Sequence, residues 1–185
     1  MEGDRIRLVP MTDEMYRRFF KEYENDPDLL RPGQAYEPFR YSAEWADRYI
    51  QRQKFPGRLA FAILLSEDIA GEIVLKNIEP NARCDLSITL KNDGYKGRGI
   101  GTKALCDAVR YAFTELDLCE VFANALKTNV RSRHVLEKAG FTRVGENAEY
   151  VFYRIDRQRN AEEETGSEAF GEPFVRSGDP SMEDA

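Results

Sequence analysis

Apolar side chains recur along this chain with two different periods, and the changes of period mark the elements. Arg5-Ile6-Arg7-Leu8-Val9 alternates as a half-buried strand does, and Pro10 stops it. Thr12 is then placed to cap a helix over Asp13 to Tyr23. From Glu24 to Tyr41, Asp26-Pro27, Arg31-Pro32-Gly33 and Glu37-Pro38 break any period and predict a loop. Ser42 caps a second helix to about Lys54, with Trp45, Tyr49 and Ile50 on its apolar side. Leu59 to Leu65 and Ile69 to Ile78 flank Ser66-Glu67-Asp68 as a hairpin. Leu86, Ile88 and Leu90 alternate in a fourth strand, and Lys103 to Leu116 reads as helix. Glu120 to Leu126 (strand), Val130 to Lys138 (helix) and a strand pair near Phe141 to Val144 and Tyr150 to Ile155 complete the chain. The predicted order is β-α-α-β-β-β-α-β-α-β-β, without internal repeats.

The turn between the fourth strand and its helix carries the chemistry. Residues 95 to 102 read Tyr-Lys-Gly-Arg-Gly-Ile-Gly-Thr, with glycine at every second position. Bare backbone N–H groups at a helix N-terminus form an anion site, because the amides point outward, glycine admits close approach and the helix dipole favours negative charge. Spacing narrows the ligand. A Walker loop needs Gly-Lys-Ser/Thr, whereas Thr102 precedes Lys103; a dinucleotide fingerprint needs Gly-x-Gly-x-x-Gly early in a βαβ unit. What remains is x-x-Gly-x-Gly opening a helix, with Gly99 and Gly101 where a diphosphate would meet the backbone. The plain alternative is a glycine-rich turn without a ligand.

Two blocks resemble the Gcn5-related N-acetyltransferase (GNAT) superfamily, which moves an acetyl group from acetyl-CoA to an amine. Cys84-Asp85-Leu86-Ser87-Ile88-Thr89-Leu90 followed by Tyr95 to Thr102 is similar to the family's fourth strand and its pyrophosphate loop, Gln/Arg-x-x-Gly-x-Gly/Ala. Lys96 stands at the Gln/Arg position. Asn129-Val130-Arg131-Ser132 through Glu137-Lys138-Ala139-Gly140-Phe141 is similar to the Asn-x-x-Ser helix ending in Glu-Lys-x-Gly-Phe. The blocks stand in the family's order, and the resemblance covers about residues 4 to 156. Within the superfamily, the ribosomal-protein alanine N-acetyltransferases and the spermidine acetyltransferases are the most similar subgroups, and Leu136 leans towards the former.

The resemblance implies an α/β (α+β) fold: a central mixed, mostly antiparallel twisted sheet of six to seven strands, flanked by about four helices, with acetyl-CoA in the cleft beside strand 4. Pantetheine would run along Ile88, Thr89 and Leu90 like a partial added strand. The diphosphate would rest on the amides of Lys96, Gly97, Arg98, Gly99, Ile100, Gly101 and Thr102. Lys96 and Arg98 are available as cations, or form an ordinary solvated pair. Asn129 would bond pantetheine, cap its own helix, or both. Lys138 would reach the adenosine phosphate end, or simply answer the helix dipole. No metal is implied.

Acetyl transfer needs a neutral amine, and an alkylamine with a reference pKa of about 10 is almost wholly charged at neutral pH. Asp85, in the fourth strand, and Glu72, in the third, are the candidate bases or amine-orienting groups; each is otherwise an edge-strand charge. Many relatives place a tyrosine before Glu-Lys-x-Gly-Phe to protonate the departing thiolate, but here that residue is Leu136, which cannot donate. Ser132 is the substitute acid, or a structural hydroxyl. Water alone would serve for a thiol of reference pKa about 8.5. His134, the only histidine, has no acid beside it in sequence and reads as a solvent-facing helix residue.

The chain's 185 residues predict one acetyltransferase domain over 1–157 and an acidic tail over 158–185. The net charge is −6, yet residues 160–185 hold eight acids against Arg176, leaving 26 basic and 25 acidic residues before them. So neutral a body offers no nucleic-acid footprint. The tail is too polar to offset its ordering entropy, although Phe170, Phe174 and Val175 are possible anchors. With no apolar signal or spanning run, the expectation is a cytoplasmic protein without membrane contact, and a homodimer is compatible with it. Three cysteines without metal-ligand spacing fit a reducing compartment; Cys106 and Cys119 read as packing residues. Between Glu22 and Tyr41 five acids face two bases, with Tyr23, Tyr36, Phe39 and Tyr41 interleaved. That wall suits a cationic amine, or is a polar surface loop. The acceptor is therefore a small cationic amine or a protein N-terminus. The alternative is a non-catalytic acyl-CoA-binding regulatory or interaction module.

Overall fold

In the computed structural model, which describes residues 6–27, 30 and 33–157, the chain forms seven strands and four helices. They run β1 (Ile6–Pro10), α1 (Asp13–Lys21), α2 (Ala43–Gln53), β2 (Leu59–Leu65), β3 (Asp68–Glu79), β4 (Arg83–Leu90), α3 (Ile100–Thr114), β5 (Glu120–Leu126), α4 (Val130–Lys138), β6 (Thr142–Glu146) and β7 (Tyr150–Asp156). Thr12 and Ser42 cap α1 and α2, each accepting from the N–H three residues on, as their positions predict. α3 begins at Ile100, three residues before the apolar period suggests, because Gly101 lies within the helix although it reads as a turn residue. The acidic tail assigned to 158–185 lies outside the described residues.

The strands form one sheet in the order β1-β2-β3-β4-β5-β7-β6, antiparallel except for the central β4–β5 pair. Alternation then sorts side chains onto two faces. Phe61, Ile63, Ile73, Leu75, Leu86, Val121 and Tyr153 pack with Leu105, Val109 and Phe113 of α3 and with Leu136 of α4. On the other face Ala62, Leu64 and Ile69 pack with Tyr16, Phe19 and Phe20 of α1 and Ile50 of α2. Here β5 and β7 carry Asn124 and Phe152, so α1 and α2 cover one half of this face and, among the described residues, no helix covers the other.

β4 and β5 meet only at Arg83–Glu120, Cys84–Val121 and Asp85–Phe122. Beyond them β4 stays paired with β3 as far as Leu90, and β5 with β7 as far as Leu126. The two central strands therefore diverge, and their facing backbone groups lack a strand partner. Obligatory backbone donors and acceptors left at such an opening suit an extended, amide-bearing ligand.

Gly71 fixes how closely β3 approaches β4 beside this opening. A Cβ there would stand 2.4 Å from the Thr89 carbonyl oxygen and 3.0 Å from Leu90 Cδ2. Gly71→Ala is expected to cost about 1–3 kcal/mol, lowering the melting temperature by roughly 2–4 °C per kcal/mol in a domain of this size. Thermal unfolding measures it, and an unchanged midpoint would show that the strands can part without penalty.

The cysteines correct the sequence reading. Cys106 and Cys119 are exposed, whereas Cys84 is the one packed in the core. Cys106 falls on the solvent side of α3, and Cys119 sits in the turn before β5, where its thiol donates to the Asn81 carbonyl.

Candidate active site

The glycine loop leads directly into the open end of the strand divergence. Gly97 (φ +72°) and Gly99 (φ +78°) adopt left-handed conformations, which glycine accepts without the Cβ penalty. Gly99 is the N-cap of α3 and supplies no side-chain bond, and the first helical hydrogen bond runs from the Lys103 N–H to the Gly99 carbonyl. The N–H groups of Ile100, Gly101 and Thr102 therefore have no partner within the helix. A Cβ on Gly97 or Gly99 would meet no atom within 4 Å, so the space beside these two glycines is open. A Cβ on Gly101 would instead stand 3.5 Å from Val135 of α4 and 3.9 Å from Ile88 of β4. The helix start is thus wedged between β4 and α4 at the divergence. An anion on the free amides would lie in line with an extended chain beside Ile88, Thr89 and Leu90, which are all half-buried.

The flanking cations are placed differently from the sequence expectation. The Lys96 N–H donates to the Asp93 carbonyl, so this amide is not available to the cradle. The Lys96 ammonium contacts Asp26 of the α1–α2 segment and Asp93. Burial lowers its pKa, but these two carboxylates outweigh burial and raise it overall. Arg98 reaches the Gly94 carbonyl at 3.4 Å. Asn129 caps α4, accepting from the Ser132 N–H at 2.9 Å. Lys138 is exposed in the last turn of α4. Lys91, just beyond β4, is buried; its ammonium donates to Glu22 at 2.8 Å and Asp68 at 2.9 Å and lies 5.2 Å from the Tyr95 ring centre. This group anchors the entry to the glycine loop against the end of α1 and the β2–β3 turn.

The two candidate carboxylates share one face of the sheet but not one environment. Glu72 stands directly opposite Thr89 on β4 and Ala62 on β2, beneath α1 and α2, and only 3 % of it is exposed. Tyr49 of α2 donates to its Oε1 at 2.5 Å, while Oε2 has no hydrogen-bond partner; the nearby buried Tyr16 hydroxyl also has none. Burial pushes the Glu72 carboxyl up to about 7, against the opposing pull of the Tyr49 bond and the Arg58 charge. Asp85 lies four residues before Thr89, about 13 Å along the strand. It accepts from Asn77 Nδ2 at 2.6 Å, faces Lys76 across the strands, and lines a cavity of about 550 Å³ with Phe122, Asn124 and Phe152. A buried acid with a free oxygen and a raised pKa is the form expected of a base; a solvated, hydrogen-bonded carboxylate is the form expected of a cation-orienting group.

Ser132 is half-buried in the first turn of α4, and Leu136, at the position where a tyrosine would donate, is 3 % exposed in the main core. His134 is exposed. Within the Glu22–Tyr41 segment, several of the described charged and aromatic side chains are already engaged. Glu22 is bound to Lys91 and Asp26 to Lys96, while Tyr23 and Phe39 pack on Phe20. Tyr49, Tyr16 and Arg131 were not legible as site residues, and Asp26 was legible only as one acid of the wall facing the amine. Tyr49 and Tyr16 fall on apolar helix faces, where a tyrosine reads as core, and Asp26 meets a residue 70 positions away. Among the described residues no group of three or more His, Cys, Asp or Glu is arranged to hold a metal ion, and no helix is long and apolar enough to cross a membrane.

The free amides at a helix start and the two diverging central strands lie within an acetyltransferase domain. The model of the acetyltransferase (GNAT) domain matches residues 5–142, and the chain belongs to that family of acetyl-CoA-dependent N-acetyltransferases. The chain is 26 % identical over 157 residues to spermidine N(1)-acetyltransferase of Escherichia coli strain K12, covering 84 % of this chain and 82 % of that one. Its fold is similar to that of spermidine N-acetyltransferase from Vibrio cholerae, solved with CoA and spermine (TM-score 0.70, 16 % identity, 86 % of this chain and 99 % of that one). It is also similar to Campylobacter jejuni N-acetyltransferase PseH, solved with acetyl coenzyme A (TM-score 0.63, 18 % identity, 83 % and 99 %).

Proposed function

We propose that this protein acetylates the primary amine of a small cationic acceptor by direct attack on acetyl-CoA in a ternary complex, with Glu72 as the base. The observation that carries the reading is the Glu72 carboxyl. It is buried on the strand facing β4, is poised at about 7, and is held by Tyr49 through one oxygen while the other is unpaired. Acetyl-CoA supplies an activated acetyl group as a thioester. The amides of Ile100, Gly101 and Thr102 seat its diphosphate, and the open edge of β4 from Leu86 to Leu90 lines its pantetheine.

Ionised Glu72 attracts an alkylammonium and takes up its proton by a relay to the buried free oxygen, producing the neutral amine that attacks. A base near neutrality suits this task, since about half of it is ionised at neutral pH and it is still basic enough to help. Asp85, on the same face, holds a second positive group of the acceptor. Cys84 is no rival nucleophile, because burial, with a smaller push from Asp85, raises its thiol to about 12. A small amine is preferred to a protein N-terminus as acceptor, since both spermidine acetyltransferases compared act on a polyamine by name.

Free-thiol release from acetyl-CoA, measured over diamines, polyamines, aminoglycosides, amino acids and N-terminal peptides, tests the reading. Turnover is expected with the diamines or polyamines. Silence across the panel, with acetyl-CoA binding retained, would point instead to a non-catalytic acyl-CoA-binding module. Ser132→Ala is expected to lower turnover by no more than about tenfold, because a thiolate of reference pKa about 8.5 leaves with little help. Steady-state rates check this, and a loss of a thousandfold would make Ser132 the essential acid.

A further inference from the structure

Asp26, Asp93, Lys96 and Arg131 form a two-plus, two-minus quartet beside the diphosphate seat. Lys96 Nζ contacts Asp26 and lies 2.5 Å from Asp93 Oδ1; Arg131 Nη1 lies 3.7 Å from Asp26 Oδ2 and 3.6 Å from Asp93 Oδ1. The four residues come from the α1–α2 segment, the turn after β4, the glycine loop and the first turn of α4. Lys96 lies four residues before Ile100, the first residue of α3, and so joins the quartet to the helix start. The Asp26 and Lys96 side chains are only 13 % and 15 % exposed, so this pair is shielded from solvent far more than an ordinary surface bridge. Asp93, at 78 %, and Arg131, at 52 %, form the wet side.

We propose that Asp26 and Asp93 are internal competitors for the cofactor's phosphates. They hold Lys96 and Arg131 in the free protein, and a bound phosphate must draw these cations away from them. The inference rests on the diphosphate seat proposed above. Two cations beside a helix N-terminus would strengthen an anion site, but both are already neutralised by carboxylates of the same chain. Each cation that turns to a phosphate gives up its attraction to a carboxylate, so the net gain is small. The consequence is a CoA affinity held below what the amides and cations could give, which favours release of the spent carrier.

The competing view is that the quartet merely braces the loop, and the two views predict opposite signs. Asp26→Asn is expected to tighten CoA binding by about three- to tenfold in calorimetric titration, with a steeper weakening by salt than in the unmodified protein. Binding of S-acetylpantetheine, which lacks every phosphate, should be unchanged. Asp93→Asn removes an exposed carboxylate with little risk to folding and should shift CoA affinity in the same direction by a smaller factor. Adding Lys96→Gln to Asp26→Asn should return the affinity towards its starting value, because the freed cation is then gone. Weaker or unchanged CoA binding in both aspartate variants would overturn the proposal and leave the quartet as a brace. If CoA also failed to sense a Gly99 substitution, the diphosphate seat itself would be wrong, and the two failures are thereby distinguishable.

Discussion

Glu72→Gln is expected to lower kcat/KM for the amine acceptor by about 10²–10⁴, the usual loss when a positioned base is removed. In the unmodified protein kcat/KM should rise as pH passes about 7, where Glu72 ionises; in the variant that limb should vanish and activity should recover only as the amine itself deprotonates at higher pH. Stability should move the other way. A carboxyl whose folded pKa is raised binds its proton more tightly folded than unfolded, so its contribution is complete below the unfolded value and is lost as pH rises towards about 7. Above that pH the ionised, buried Glu72 destabilises the fold, and glutamine, still able to accept from Tyr49, does not. The variant should thus melt higher than the parent at pH 8 and at nearly the same temperature at pH 4. Lower stability at both pH values would mark Glu72 as structural.

Gly99→Val is expected to weaken acetyl-CoA binding by about 10²-fold or more, since two charge-assisted amide contacts of roughly 1.5–3 kcal/mol each would be obstructed. The protein itself leaves room for the side chain, as nothing stands within 4 Å of a Cβ there. The left-handed φ of +78° adds about 1–2 kcal/mol of backbone strain, so some loss of melting temperature accompanies the change. Gly99→Asn separates the two effects, because asparagine tolerates that conformation while still filling the space. A folded Gly99→Asn protein with full acetyl-CoA affinity in calorimetry would remove the diphosphate from this loop. Gly101 is the less informative position, since its Cβ would point at Val135 and Ile88 rather than outward.

Much of the architecture was legible because local pattern and tertiary packing agree. The caps Thr12 and Ser42, the alternation of Leu86, Ile88 and Leu90 and the order of elements needed no long-range information. The glycine loop was equally legible, since its conformational demand is written in the residue type. The extent of α3 was less so, because Gly101 is helical for a packing reason, its close fit between β4 and α4, that composition does not reveal. The environments of the charged residues were hidden for a different reason. Glu72 and Asp85 look alike in sequence, and only the helices folded over one half of the sheet make one of them buried and the other half-exposed. Lys96 reads as a phosphate ligand until Asp26 and Asp93 are seen to hold it. The same cause misled the reading of the cysteines: which side of α3 faces solvent decides the exposure of Cys106, and helical periodicity alone does not settle that for a small residue.

Direct transfer in a ternary complex is tested most plainly by initial rates over a grid of acetyl-CoA and diamine concentrations, together with the intact mass of the protein after exposure to acetyl-CoA alone. Intersecting double-reciprocal lines and an unchanged mass are expected, because both substrates must be present before the acetyl group moves and the one core thiol, Cys84, is held protonated. Parallel lines, with a protein that gains one acetyl group from acetyl-CoA alone and passes it to the amine, would contradict the account.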